Sequence, residues 1–220
     1  MKRFLVISPH PDDLDFACGG TMAKLIQEGN KVEQLIVSDG SKGSHAIGID
    51  GKRLKTIRQK EQRAAAKVLG VKNVYFLGEI DGEVENTKKL RKKLVEMIRT
   101  IKPDVVMSFD PGALHRFDFP PRSHRDHRQV AEAVFDAVYP AVGNRSFFPE
   151  LLKKKLFPHT VEEVWFFAPE KPNKLVDIKK FMDKKIKALL SHKSQIKDPN
   201  ALISRIQKMP RETFRVVKLT

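Results

Sequence analysis

Four short apolar runs, separated by stretches of helical periodicity, constrain this chain more than any other feature. The runs are Phe4 to Ile7, Val32 to Val37, Val74 to Leu77 and Val105 to Phe109. Apolar runs of this length, bounded by breakers, are read as strands buried on both faces. Between them lie Met22, Leu25 and Ile26 at helical spacing, ended by Gly29-Asn30; Leu54 to Leu69, closed by Gly70; and Lys88 to Ile101, stopped by Lys102-Pro103. Ser38 to Lys52 holds four glycines and is predicted to be a loop. Such alternation predicts the α/β class, a Rossmann-like and mostly parallel sheet with helices on both faces. The chain of 220 residues reads as a single domain, with a core over about 1–140 and a small C-terminal extension over about 141–220.

Composition removes several functions. No apolar run approaches the roughly 20 residues that a membrane helix needs, so no membrane insertion is expected. Phe4 to Ile7 is too short for a signal-peptide core and is broken by Ser8-Pro9-His10-Pro11, so a cytoplasmic location is expected. Cys18 is the single cysteine, which excludes an intrachain disulfide and reads as a small buried residue of the first helix. The formal charge of +15 comes partly from lysine-rich helical stretches, which read as solvated faces. With two tyrosines, one tryptophan and no pattern of stacking aromatics among the basic residues, a nucleic-acid partner is not expected.

In parallel sheets ligands bind beyond the carboxyl ends of the strands, and two clusters fall there. Ser8-Pro9-His10-Pro11-Asp12-Asp13 follows the first strand directly. His10 and Asp13 offer nitrogen and oxygen ligands from a turn stiffened by two prolines, with Asp12 beside them. The same residues also fit a turn whose aspartates cap the next helix. After the fourth strand come His115 and then Ser123-His124-Arg125-Asp126-His127, ahead of a helix with Val130, Ala133, Val134, Ala137 and Val138 buried. Ser123 to Asp126 has the S-x-x-D form of a capping box, so Ser123 is the predicted N-cap, with His124 and His127 on one face of the first turns. Histidine, aspartate and histidine with a fourth position open is the catalytic zinc pattern, and equally that of two-His-one-carboxylate iron sites. Ser38-Asp39-Gly40, after the second strand, would line a pocket or form a plain turn. The G-x-G-x-x-G fingerprint of dinucleotide binding is absent after the first strand.

His10-Pro11-Asp12-Asp13 followed by His124-x-x-His127 resembles the LmbE-like, or PIG-L, family of zinc-dependent N-acetylglucosaminyl deacetylases. The similarity runs on through Gly19-Gly20-Thr21, Ser38-Asp39-Gly40, Arg58-x-x-Glu61 with Leu69-Gly70, Asp81-Gly82, Lys102-Pro103-Asp104, Asp177-Ile178, Lys185, and His192-Lys193-Ser194-Gln195. The resemblance implies that His10, Asp13 and His127 bind Zn²⁺ or another divalent metal and that Asp12 is the general base. It implies that His124 stabilises the tetrahedral intermediate or protonates the leaving group, and that Arg58 helps bind substrate. It gives Asp126 a role in supporting the ligands or capping its helix; Ser38 and Asp39 are candidates for the substrate pocket from their place after the second strand alone. The implied partner is an N-acetyl amino sugar or its conjugate, and homo-oligomers are frequent in the family.

This chain departs from the family pattern at Leu14, often glutamate, at Arg125, commonly proline, and at Arg122, where some relatives carry a carbonyl-polarising tyrosine. Arg58 and Glu61 also fit an ordinary i,i+3 ion pair. His45, His115 and His159 are not expected to be ligands, and His192, Ser194 and Gln195 read as structural or as an oligomer contact. Phe109 to Arg122 reads as a lid or substrate wall, and Arg145 to Pro158 as a pocket cover or subunit contact. The competing functions are an amidase for another small acylated amine and a non-catalytic sugar-binding relative.

Overall fold

The computed structural model describes residues 1–44, 50–113 and 124–220. Seven strands form one sheet: β1 (Arg3–Ser8), β2 (Lys31–Ser38), β3 (Asn73–Glu79), β4 (Val105–Phe109), β5 (Glu163–Phe167), β6 (Lys174–Asp177) and β7 (Arg211–Lys218). Their order is β3-β2-β1-β4-β5-β7-β6. Strands β1 to β5 pair in parallel, and β7 runs antiparallel between β5 and β6. The order reverses between β1 and β4, which is where a sheet of this kind opens a crevice for ligands.

The apolar runs form strands because both faces of the sheet are covered. Phe4 and Val6 of β1 join one core with α1 (Asp13–Gln27) and α2 (Gly51–Leu69), while Leu5 and Ile7 join the opposite core with α3 (Lys88–Ile101) and α4 (Arg125–Asp136). Successive side chains alternate between faces, so a doubly covered strand must be apolar throughout. A short helix α5 (Glu150–Lys153) follows, then α6 (Met182–Leu189) and α7 (Pro199–Gln207). Ile186, Leu189, Leu202 and Ile206 make a small third cluster, with Phe16 of α1 packed on it.

Local chemistry sets the boundaries. Thr87 caps α3 by accepting from Leu90 N at 3.1 Å. Gly70 closes α2 at φ 93°, a conformation that favours glycine. Helix α2 begins earlier than its periodicity predicts, at Gly51 with Asp50 as cap, because a polar first turn leaves no apolar trace. The cap of α4 is His124 instead of Ser123: its Nδ1 accepts from Asp126 N at 3.2 Å.

Helix α1 is broken at Cys18 (φ −147°, ψ 22°), and a buried ion pair repairs the break. Glu212 of β7 accepts from Gly20 N at 3.0 Å and Thr21 N at 2.7 Å, and Lys185 of α6 donates to Phe16 O at 2.7 Å and to Glu212 at 2.6 Å. A Cβ on Gly20 would meet Ile178 at 2.7 Å, so only glycine lets the broken turn sit against that side chain.

The segment Arg145 to Pro158 packs on α3. Arg99, fully buried, donates to the carbonyls of Ala141, Val142, Asn144 and Phe147, and Lys92–Glu150 and Lys154–Glu96 pair across the same face.

Candidate active site

The loop between β1 and α1 must present adjacent carboxylates to one side, and its backbone shows how. Asp12 has φ 87° and ψ −34°, a conformation that L residues rarely adopt. It stands at the N-cap of α1, yet its side chain makes no capping bond, so the capping reading of Asp12 does not hold. Its backbone N–H donates to Gln62 Oε1 at 2.7 Å, and its carbonyl accepts from Asp15 N and Phe16 N at 2.9 and 3.1 Å. Asp13 opens α1 and turns the other way: Oδ2 accepts from His10 N at 2.9 Å, and Oδ1 lies 3.2 Å from His127 Nε2.

Three ligand-type groups therefore converge. Ligand atoms of His10, Asp13 and His127 lie within 4.8 Å of one another, and those of His10, His124 and Asp126 do likewise. His10 Nδ1 is 3.4 Å from Asp13 Oδ2. The other nitrogen, Nε2, lies 3.1 Å from both Asp126 Oδ2 and Asp81 Oδ1, which fixes the ring plane. Asp126, fully buried, is itself held by Gly82 N at 2.7 Å and Val84 N at 3.3 Å. The ring of His127 stacks on Phe109 with centroids 4.3 Å apart, and its Nδ1 is buried without a partner among the described residues. His124 is exposed; its ring meets His10 edge-on at 4.8 Å and lies 5.5 Å from that of His127. The donor set, two imidazoles and a carboxylate reaching one point, fits a borderline divalent metal such as zinc.

Charge explains the protonation tendencies. Burial works against a charged His10, yet hydrogen bonds to Asp126, Asp13 and Asp81 hold its pKa well above the ordinary value. Burial likewise opposes ionisation of Asp13, but the charge of His127 and the hydrogen bonds of His10 and His127 hold its carboxyl well below the usual range. Asp12 is pushed up to about 6, chiefly by burial, with the Arg58 guanidinium opposing and the Asp13 charge reinforcing the rise. His124 is lowered by burial and then by the charges of His10 and His127. Two neighbouring carboxyls are thus shifted in opposite directions, Asp13 down and Asp12 up.

The remaining expected residues surround this centre. Arg58, on α2, points inward and not along its helix: Nη1 donates to Gly40 O at 3.2 Å and Nη2 to Pro11 O at 2.8 Å, with Asp12 Oδ2 at 3.4 Å. Glu61 instead accepts from Ser194 N and Oγ, at 2.8 and 2.6 Å. Asp39 Oδ1 accepts from Ser41 N at 3.1 Å and Asp81 N at 3.3 Å, and Ser38 is buried. His159 lies against Pro103 O at 2.7 Å, and Cys18 is buried with its pKa raised, chiefly by that burial. His45, His115, Arg122, Ser123 and the Phe109–Arg122 stretch from residue 114 onward lie outside the described residues. Asp81 escaped the sequence reading as a site residue, although Asp81-Gly82 follows β3 at the carboxyl edge of the sheet, where chemistry is sought. Gln62 escaped it too, as a polar residue in a long helix.

Comparison with known proteins places this geometry. The family described as GlcNAc-PI de-N-acetylase (PIG-L) matches residues 5–138. Diacetylchitobiose deacetylase of Thermococcus kodakarensis is 36% identical over 195 residues, covering 89% of this chain and 70% of that protein. A protein of Bacillus anthracis described as a probable N-acetyl-alpha-D-glucosaminyl L-malate deacetylase 2 is 27% identical over 202 residues, covering 88% and 81%. Among solved structures, N,N'-diacetylchitobiose deacetylase from Pyrococcus horikoshii superposes with a TM-score of 0.89 at 31% identity, covering 99% of this chain and 84% of that one.

Proposed function

Because the chain belongs to the PIG-L family and is a deacetylase of the N-acetylglucosamine type, we propose that it works as a zinc enzyme with His10, Asp13 and His127 as ligands, Asp12 as base and His124 as acid. The products are acetate and a free amino sugar or its conjugate. The observation that carries this assignment is the convergence of His10, Asp13 and His127 within 4.8 Å, with Asp12 beside them and unspent on capping.

A bound divalent metal supplies Lewis acidity and a water of pKa about 7. Asp81 and Asp126 keep His10 Nε2 occupied, leaving Nδ1 turned toward Asp13. Asp12 takes a proton from the attacking water as the new C–O bond forms, a task suited to a carboxyl near neutrality. As the C–N bond breaks, the amine nitrogen must gain a proton, since an amide anion is too basic to leave. Asp12 returns its proton or His124 gives one; the His124 ring, meeting that of His10 at 4.8 Å, stands beside the ligand cluster for the second route. Arg58 orients Asp12 and faces the sugar on that side; Ser38 and Asp39 shape the turn that carries Gly40 against Arg58. Asp126 supports His10 and holds the turn at Gly82.

We also take residues 1–220 as one domain that self-associates in the cytosol. Supporting this, all seven strands share one sheet, and Phe135, Tyr139, Phe147 and Phe157 expose 39%, 62%, 40% and 58% of their surface. No helix among the described residues is long and apolar enough to cross a membrane.

The test is acetate release by metal-stripped protein, with and without added Zn²⁺, from N-acetylglucosamine, diacetylchitobiose and N-acetylglucosaminyl conjugates. Release restored by zinc is expected for at least one of them, and Asp12→Asn is expected to keep the metal and lose turnover by about 10²- to 10⁴-fold. Near-normal turnover by Asp12→Asn with zinc bound would remove Asp12 as the base.

A further inference from the structure

The loop that carries Asp12 stores strain, and something must hold it. A non-glycine residue at φ 87° is strained and persists only where its surroundings fix it. The bond at Asp12 N comes from Gln62 Oε1, and the orientation of that amide is decided further inside the protein. Gln62 Nε2 donates to Asp15 Oδ2 at 3.1 Å and to Gln34 Oε1 at 3.1 Å. With both amide hydrogens committed to acceptors, a flipped amide would set its NH₂ against the Asp12 N–H, so only one orientation is allowed. Asp15 Oδ2 also lies 2.8 Å from His192 Nε2, and Gln62, Asp15 and His192 are all fully buried. His192 sits just beyond α6, and the turn it begins is tied to α2 by Ser194 on Glu61.

A continuous buried chain therefore runs from His192 through Asp15 and Gln62 to the backbone of Asp12. It links the segment after α6 to the first loop of the protein through bonds separate from those that hold the His10, Asp13 and His127 side chains. We propose that His192, Asp15 and Gln62 are positioning residues that lock Asp12 in its strained backbone conformation and so aim its carboxylate at the reacting water. The inference rests on Asp12 being the base. It makes the His192 motif a working part of the site, where the sequence suggests only packing or an oligomer contact.

The experiment uses two variants of the full chain: Gln62→Met, which keeps the volume and removes the acceptor, and His192→Phe, which removes the donor to Asp15 and leaves Gln62 intact. Each is loaded with zinc, assayed for acetate release, and followed by NMR hydrogen exchange of backbone amides. We expect kcat to fall by about 10- to 100-fold with KM within about twofold and zinc occupancy unchanged, the size of effect a small misplacement brings. In both variants the Asp12 amide should exchange at least about tenfold faster while β1 amides keep their protection. In an Asp12→Asn background the same changes should leave the residual rate alone, because they act through Asp12. Unchanged Asp12 exchange in His192→Phe would overturn the proposal whether or not any substrate is turned over. So would a kcat loss of the same size on top of Asp12→Asn, which would mark the effect as general loosening. An inactive wild type whose Asp12 amide still loses protection in both variants would instead sink the deacetylase reading and leave the chain standing.

Discussion

Two buried polar clusters touch helix α1 within a few residues of each other, and they are built on opposite terms. At the break, Lys185 and Glu212 are 4% and 3% exposed and match each other one for one. The spare donors and acceptors of that cluster go to Phe16 O, Gly20 N and Thr21 N, groups that the broken turn has freed. At the start of the helix the account does not close. Asp12, Asp13, Asp81 and Asp126 gather around Arg58 and the imidazoles of His10, His124 and His127, and His127 Nδ1 is buried without a partner among the described residues. Protonation of His10, favoured by three carboxylates, compensates only in part. A cluster that satisfies itself holds a fold together; one with surplus carboxylate is prepared for a cation supplied from outside.

Breaking either cluster should separate stability from activity. The largest effect on function is expected from His127→Gln, which should abolish zinc uptake and acetate release. In the metal-free state, urea unfolding should shift less for His127→Gln than for Lys185→Met. The reverse order would mean that the ligand cluster carries the fold. Lys185→Met should cost about 3–5 kcal/mol in the same titration, because it leaves Glu212 charged and buried. Here the pair differs from a simple buried ion pair, since Glu212 also serves two backbone amides. The double variant Lys185→Met with Glu212→Leu should therefore remain well below wild type, as each stranded buried amide costs about 1–3 kcal/mol. Full recovery in the double variant would show that the amides find other partners.

The smallest effect concerns pH. Burial pulls the His192 pKa down, but the hydrogen bond and charge of Asp15, with Asp12 and Glu61 behind it, raise it overall. A raised folded value means that the stabilisation is complete below the unfolded pKa of about 6.5 and fades as pH climbs through the folded value. The gap in urea midpoint between metal-free wild type and His192→Phe should thus narrow as pH rises above about 6.5. A gap that widens or stays constant over that range would contradict the sign of the shift.

Much of this contrast was legible in residue order. Strands β1, β2 and β4 announce themselves because both faces are covered, while β3, at the sheet edge, is only half-buried despite its apolar run, and α3 and β4 begin and end where their caps and breakers predict. His10, Asp13 and His127 were marked by position after strands and before a helix. What stayed hidden depends on partners distant in sequence. Arg211, Glu212, Arg215 and Lys218 give β7 a polar look, although it lies between two other strands and Glu212 is 5% exposed. Arg99 looks like one more basic residue of a solvated helix, yet four backbone carbonyls enclose it. Gln62 and Asp81 carry no local signal, since each matters through atoms contributed by another element. Ser123 looked the better cap for α4 only because a histidine nitrogen is rarely considered an acceptor for that position.

The antiparallel strand β7 has a consequence for how the protein is made. Glu212 bonds Thr21 across 191 positions of sequence, and Thr21 belongs to the helix that Asp13 begins. During synthesis the early strands can pair as they emerge, but the helix beginning with Asp13 keeps an unrepaired turn until β7 has inserted between β5 and β6. The first helix of the chain is therefore completed only after β7 has been made, although that helix is among the first elements to emerge.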